Sequence, residues 1–269
     1  MISRAAFFLG NCGTLAVPER SIDMNSFYES EKLLAEYLLF HYGLPDEILP
    51  PDRAWPAGMR ESLGFPCRTA AHFSTARVAR GLDLGCGVGR ATFEMARTCD
   101  EVTGIDLSHA FIAAAEALWA GEALVYHRCE EGTVRTPLTA RKPADIRAER
   151  LRFCPGDVMN LPADLGAFDR VHAANLLCRL PEPRRLLDRL PALVKPGGEL
   201  VLATPCTWLE EFTPPAKWPP GATLDWLKDL LGADFDLQRQ VEEPFLIRET
   251  ARKFQWSLSL VTVWHRTRG

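Results

Sequence analysis

The sequence predicts an α/β fold: a mostly parallel sheet with helices on both faces, completed by an antiparallel C-terminal strand pair. Three observations carry that expectation. From Val78 onward, apolar runs of strand length alternate with segments of helical period. The first run leads into Leu82-Asp83-Leu84-Gly85-Cys86-Gly87-Val88-Gly89, and glycines at the end of a buried strand let a ligand approach the backbone closely. Two long segments of strand character, 235–247 and 254–265, close the chain.

Taken in order, Phe27, Leu33, Leu34, Tyr37, Leu38 and Phe40 recur near helical spacing before Gly43-Leu44-Pro45, which predicts a helix over 26–42. Residues 44–70 carry five prolines and read as an ordered loop, followed by a helix near 70–77. The alternating core is then strand 78–84, helix 90–99, strand 101–106, helix 108–120, strand 151–154, strand 168–174, helix 183–194 and strand 199–204. Residues 122–150 are charged and read as an insertion. Lys195-Pro196-Gly197-Gly198 is a turn that stops one helix and starts the next strand. A Pro- and Trp-rich stretch, 208–218, precedes a short helix at 223–231. The organisation is one domain with a leader of unknown role (1–25), a helical lid (26–74), a ligand-binding core (75–205) and a C-terminal substrate segment (206–269).

Composition narrows the function. With 269 residues, 47% hydrophobic and 25% charged, the chain is long enough for a sizeable core. A net charge of −4 and the lack of any Lys/Arg run argue against a nucleic-acid partner and for a small-molecule one. The 8 cysteines form no Cys-x-x-Cys pair, so they read as reduced thiols of a cytoplasmic protein without a metal site. No stretch reaches membrane-spanning length.

Charge decides which ligand the glycine loop takes. Asp83 on the strand before it would repel a pyrophosphate, and it suits the ammonium of a methionine moiety. Gly89 also comes one residue too early for the dinucleotide fingerprint. Asp106, in Gly104-Ile105-Asp106-Leu107-Ser108, is placed to accept ribose hydroxyls. Asp157, in Gly156-Asp157-Val158, is spaced to receive an adenine amino group, and Asn175-Leu176-Leu177 follows another core strand. Cys86 reads as a small residue of the loop, not a nucleophile. The expected cofactor is S-adenosylmethionine, held by Asp83, Gly85, Cys86, Gly87, Asp106, Leu107, Asp157, Val158 and Asn175. Over about residues 75–205 the chain resembles the class I methyltransferase family, which implies a Rossmann-like sheet.

The flanks carry further strings: Tyr37-Leu38-Leu39-Phe40-His41-Tyr42-Gly43, Ser108-His109-Ala110-Phe111, Asn175-Leu176-Leu177-Cys178-Arg179-Leu180-Pro181, Thr207-Trp208-Leu209-Glu210-Glu211, Leu246-Ile247-Arg248-Glu249 and Ala251-Arg252-Lys253-Phe254-Gln255-Trp256. With these, about residues 26–265 resemble the 4-mercaptohistidine N1-methyltransferases of ovothiol biosynthesis, found alone or as the C-terminal domain of a bifunctional sulfoxide synthase. The chain departs in carrying Gly87 where Ala is expected, and the leader is unmatched. The resemblance implies N-methylation of the imidazole ring of 5-thiohistidine to give ovothiol A. The 6 histidines include no pair at the spacing of a non-haem iron triad, so a separate iron-dependent sulfoxide synthase is expected to supply the thiolated histidine.

Such an acceptor needs a cation for its carboxylate and an acid for its ammonium. The candidates are Tyr28 and Tyr42 from the lid, Asn175 and Arg179 as positioning residues, Trp208 and Glu211, and Arg248, Lys253 and Gln255 from the tail. Two other readings stay open: methylation of another imidazole, an amine or a carboxylate, and a catalytically silent S-adenosylmethionine-binding regulator.

Overall fold

A computed structural model describes residues 29–146 and 150–267. Before the sheet lie α1 (Glu31–Tyr42), the single turn α2 (Pro45–Ile48) and α3 (Phe65–Ala70). Ser30 starts α1 by accepting the Leu33 N–H, and Gly43 ends it. The sequence places a helix near 70–77; the structure places it earlier, at α3. Pro66 sits in the first turn after Gly64, where its missing N–H and fixed φ favour a helix start.

The remaining elements are β1 (Val78–Leu84), α4 (Arg90–Met95), β2 (Cys99–Asp106), α5 (His109–Trp119), β3 (Leu124–Glu131), β4 (Val134–Ala140), β5 (Leu151–Pro155), β6 (Phe168–Ala174), α6 (Pro183–Leu187), α7 (Leu190–Leu193), β7 (Val194–Thr204), α8 (Thr223–Leu231), β8 (Phe235–Arg248) and β9 (Phe254–Arg266). The expected helix 183–194 is two pieces, since Pro191 cannot continue the backbone hydrogen bonds of α6 and instead opens α7. The Lys195-Pro196-Gly197-Gly198 turn loops out of β7, because Val194 pairs with Phe168 whereas Glu199 already pairs with Arg170.

Seven strands form one sheet in the order β5-β2-β1-β6-β7-β9-β8. The first five are parallel, and β9 and β8 add the antiparallel pair. One apolar layer joins Phe93, Phe111, Leu118 and Val201 to the lid residues Leu38 and Phe65. The other joins Leu82, Leu84, Val171, Leu200 and Trp264 to Leu186, Leu190 and Leu227. Helices therefore cover both faces, and the central parallel strands β1, β6 and β7 are buried on both sides toward their C-terminal ends.

The insertion is the β3-β4 hairpin, which pairs only with itself. Ion pairs clamp it to the tail, where the buried Arg248 donates to Glu130 Oε2 at 2.8 Å and to the Ile48 carbonyl at 2.8 Å. The chain reverses outward from β1, to β2 and β5 on one side and β6 and β7 on the other. Open α/β sheets bind ligands outside the strand ends at such a switch point. Among the described residues, no helix is long and apolar enough to cross a membrane.

Candidate active site

The cavity at that switch point has a volume of about 470 Å³. Its floor is the loop after β1, with Gly85 (φ 68°) and Gly87 (φ 55°) both in the left-handed region. A side chain at Gly87 would also press on His41, whose Cε1 lies 3.3 Å from the position a Cβ would take. The turn therefore requires glycine on two counts. Tyr42, expected at the acceptor, braces this loop from behind, donating to the Val88 carbonyl at 2.7 Å.

Asp106, at the end of β2, accepts the Gly87 N–H at 2.8 Å and the Ser108 N–H at 3.0 Å. Burial pushes its carboxyl up to about 6, against the opposing pull of those two N–H groups. Asp157 caps the turn after β5, accepting the Met159 N–H at 2.9 Å and a hydrogen bond from the Asn160 side chain. Asp106, Leu107, Asp157 and Val158 all line the cavity, beside Asp83, Gly85, Cys86 and Gly87. A partly buried acid at the end of β2 and a second just after β5 fit a nucleoside with ribose hydroxyls and an exocyclic amine to donate.

Asp83 is more constrained than the sequence suggests. It is 1% exposed; its Oδ2 accepts from Thr92 Oγ1 at 2.6 Å and its Oδ1 pairs with His172 Nδ1 at 2.8 Å. Both oxygens are thus taken by the protein.

Asn175 sits where β6 ends, with a φ of 54°, its Oδ1 accepting from Ser259 Oγ at 2.6 Å. That left-handed turn is strained for most side chains and tolerated by asparagine. It turns the chain into the short helical segment that carries Arg179. Arg179 stacks on Phe212 at 4.3 Å and leaves a buried Nη1 without a partner. It is the one Lys or Arg among the described residues lining the cavity, and Gln255 approaches from the tail.

The other acceptor candidates lie elsewhere. Trp208 donates to Thr223 Oγ1 at 3.0 Å and packs edge-on against Trp226. Glu211 is exposed. Arg248 is spent on the hairpin clamp, and Lys253 reaches out to Glu249 at 2.6 Å. Tyr28 lies outside the described residues, as does the leader 1–25.

The sequence reading missed the lid wall. Tyr37, Phe40 and His41 of α1, Phe65, Pro66 and Thr69 around α3, and Phe245 and Ile247 of β8 all line the cavity. Their signal was present in the Tyr37–Gly43 string, whose helical spacing puts Tyr37 and His41 on one face. The lid is fixed above the nucleotide end by Glu29, which accepts the His109 N–H at 2.8 Å and the Ala110 N–H at 3.1 Å, capping the positive end of α5. Burial lowers His41 to about 3, so its ring is uncharged at neutral pH, and its Nδ1 has no partner.

The carboxyl of Asp106 sets a pH dependence. Ribose hydroxyls donate to the ionised form, so a nucleoside ligand favours loss of the proton. As pH falls below about 6, Asp106 gains that proton in the free protein, and the dissociation constant for S-adenosylhomocysteine should rise by up to about tenfold per unit. Calorimetric titration between pH 5 and 8 measures it. A slope that persists in Asp106→Asn would assign the effect to another group.

Comparison with known proteins agrees with this geometry. Residues 82–202 match the model of a methyltransferase domain. The chain is 31% identical over 126 residues to the ubiquinone biosynthesis O-methyltransferase of Xanthomonas axonopodis pv. citri (strain 306), covering 47% of this chain and 43% of that protein. It is 27% identical over 123 residues to the enzyme of the same name from Coxiella burnetii (strain Dugway 5J108-111), covering 46% and 42%. The chain thus spans less than half the length of these curated relatives.

Among solved structures, N-methyltransferase NodS from Bradyrhizobium japonicum WM9 in complex with S-adenosyl-L-homocysteine superposes with a TM-score of 0.51 at 18% identity, over 87% of this chain and 98% of that one. The [4+2]-cyclase SpnF superposes at 0.56 with 17% identity, over 93% and 97%. The names of these two show that one fold carries different chemistries. Residues 82–202 thus match a methyltransferase domain and the sheet has the fold of class I methyltransferases, with S-adenosylmethionine as the cofactor that the site and the neighbour holding S-adenosyl-L-homocysteine support.

Proposed function

We propose that the chain is a small-molecule N-methyltransferase whose acceptor is the imidazole ring of 5-thiohistidine, giving ovothiol A. The observation that carries this reading is Arg179. It is the single Lys or Arg among the described residues of the cavity wall, with an unpartnered buried Nη1, in a site that also holds three aspartates and several aromatic rings. A small aromatic acceptor with an anionic thiolate or carboxylate suits that combination, because the rings pack its plane and the guanidinium takes its charge. The resemblance of residues 26–265 to thiohistidine methyltransferases points to the same acceptor.

The cofactor supplies an electrophilic methyl group on a sulfonium. The residues of this chain then have to present a ring nitrogen in line and keep the more nucleophilic sulfur away from it. Positioning of this kind is the main source of rate in such a transfer. Asn175, Arg179 and Gln255 are the proposed acceptor-side residues, and the lid wall of Tyr37, Phe40 and Phe65 excludes water. The thiolated histidine would come from a separate iron-dependent sulfoxide synthase.

The test is a panel of 5-thiohistidine, histidine, ergothioneine, 5-histidylcysteine and a catechol, each incubated with the protein and S-adenosylmethionine and analysed by mass spectrometry. N-methylated thiohistidine is the expected product. A methylated catechol with no product from thiohistidine would replace this reading with O-methylation, the activity named for the curated relatives. Tight cofactor binding without turnover of any acceptor would favour a silent regulator.

A further inference from the structure

Among the described residues of the cavity wall, three side chains keep a buried nitrogen without a partner: His41 Nδ1, His172 Nε2 and Arg179 Nη1. His172 differs from the other two in being held by a relay. It lies on β6 opposite Asp83 in the parallel register with β1, is 1% exposed, and its Nδ1 is 2.8 Å from Asp83 Oδ1. The other oxygen of Asp83 receives the Thr92 hydroxyl at 2.6 Å. Thr92, on α4, is itself fully buried. A carboxylate that already accepts from Thr92 places the proton of the His172 ring on Nδ1, which leaves the Nε2 lone pair as an acceptor.

An unpaired buried acceptor on the wall of a ligand cavity costs stability unless a donor meets it. The cofactor of this domain carries two groups that only donate, the exocyclic amine of adenine, which the acid after β5 suits, and the ammonium of its methionine moiety, which is left for the end of the cavity at β1 and β6. We infer that His172 Nε2 receives that ammonium, and that Asp83, the residue the sequence marks for the task, works one step behind it by fixing the imidazole tautomer and spreading its negative charge through the ring. Asp83 is in this sense a positioning residue.

The test compares three probes by calorimetry. S-adenosylhomocysteine has an ammonium and a carboxylate, decarboxylated S-adenosylmethionine has the ammonium without the carboxylate, and methylthioadenosine has neither. His172→Asn keeps a partner for Asp83 and removes the outer nitrogen; His172→Gln places an amide near the position of Nε2. With His172→Asn, affinity for both ammonium-bearing probes should fall about ten- to thirtyfold, while methylthioadenosine binds as before and so also reports that the cavity is folded.

His172→Gln should recover most of the loss. Equal weakening of all three probes would reduce His172 to a structural role. Loss confined to S-adenosylhomocysteine would assign it to the carboxylate instead. Either outcome overturns the inference, and neither depends on which acceptor is methylated.

Discussion

Replacing Arg170 with Met should lower the unfolding free energy by about 3–5 kcal/mol, because it strands a buried partner charge. Arg170 has no solvent exposure. Its Nε donates to Glu199 Oε2 at 2.9 Å, its Nη1 to Thr98 Oγ1, and its Nη2 to the carbonyls of Ser74 and Ala76 at 2.7 and 2.6 Å. One guanidinium thereby ties β7 to the segments that enter β1 and β2. Glu199 in turn accepts the Ser74 N–H and hydroxyl, both at 2.9 Å.

Removal of the arginine leaves the Glu199 carboxylate largely buried and two backbone carbonyls unpaired, which costs far more than the lost packing. Urea denaturation followed by circular dichroism reads the change. The double variant Arg170→Met, Glu199→Leu should recover more than half of it, since an apolar pair of similar volume carries no stranded charge. A single-variant loss below about 1 kcal/mol would mean that water reaches Glu199 and that the network contributes little.

That network shows what kind of information the sequence withholds. The parallel core was legible because strand and helix periods leave a local imprint; β1 and α8 fall at the expected residues and β8 and β9 within one residue of them. The loop, Asp106 and Asp157 were legible because they follow strand ends, where the switch-point rule gives position a meaning. Arg170 and His172 lie inside a strand, and nothing local distinguishes a charge that will be paired from one that will face water. Their partners are 29 and 89 residues away.

The same reason explains Arg248. A tail arginine beside a conspicuous string suggested a substrate contact, but Glu130 and Ile48, at 118 and 200 residues' distance, occupy it. Helix starts were misread for a different reason. Pro66 reads as part of the loop and Pro191 as helix interior, although a proline opens a helix when it falls in its first turn.

For catalysis the largest effect belongs to Arg179. Arg179→Gln should lower kcat/KM for 5-thiohistidine by about a hundredfold, equivalent to about 2.7 kcal/mol, and leave the affinity for S-adenosylhomocysteine within about twofold. The size follows from geometry. The guanidinium is pinned against the ring of Phe212 at 4.3 Å on a side chain that lines the cavity, and its Nη1 is buried without a partner, so an anion beside it meets a charged donor that has already lost its water and its freedom to move.

Arg179→Lys keeps the charge but not the planar fork, and should recover only part of the rate. Phe212→Ala, which frees the guanidinium without removing it, should fall between wild type and Arg179→Gln. Regiochemistry gives the sharper readout. If Arg179 holds the thiolate away from the methyl group, its loss lets sulfur compete with nitrogen, and S-methylated thiohistidine should rise as a fraction of product. Unchanged N-to-S ratios at measurable turnover would leave Arg179 as a carboxylate anchor and move the choice of atom to Asn175, whose Oδ1 is already held by Ser259 at 2.6 Å and whose turn closes the end of β6.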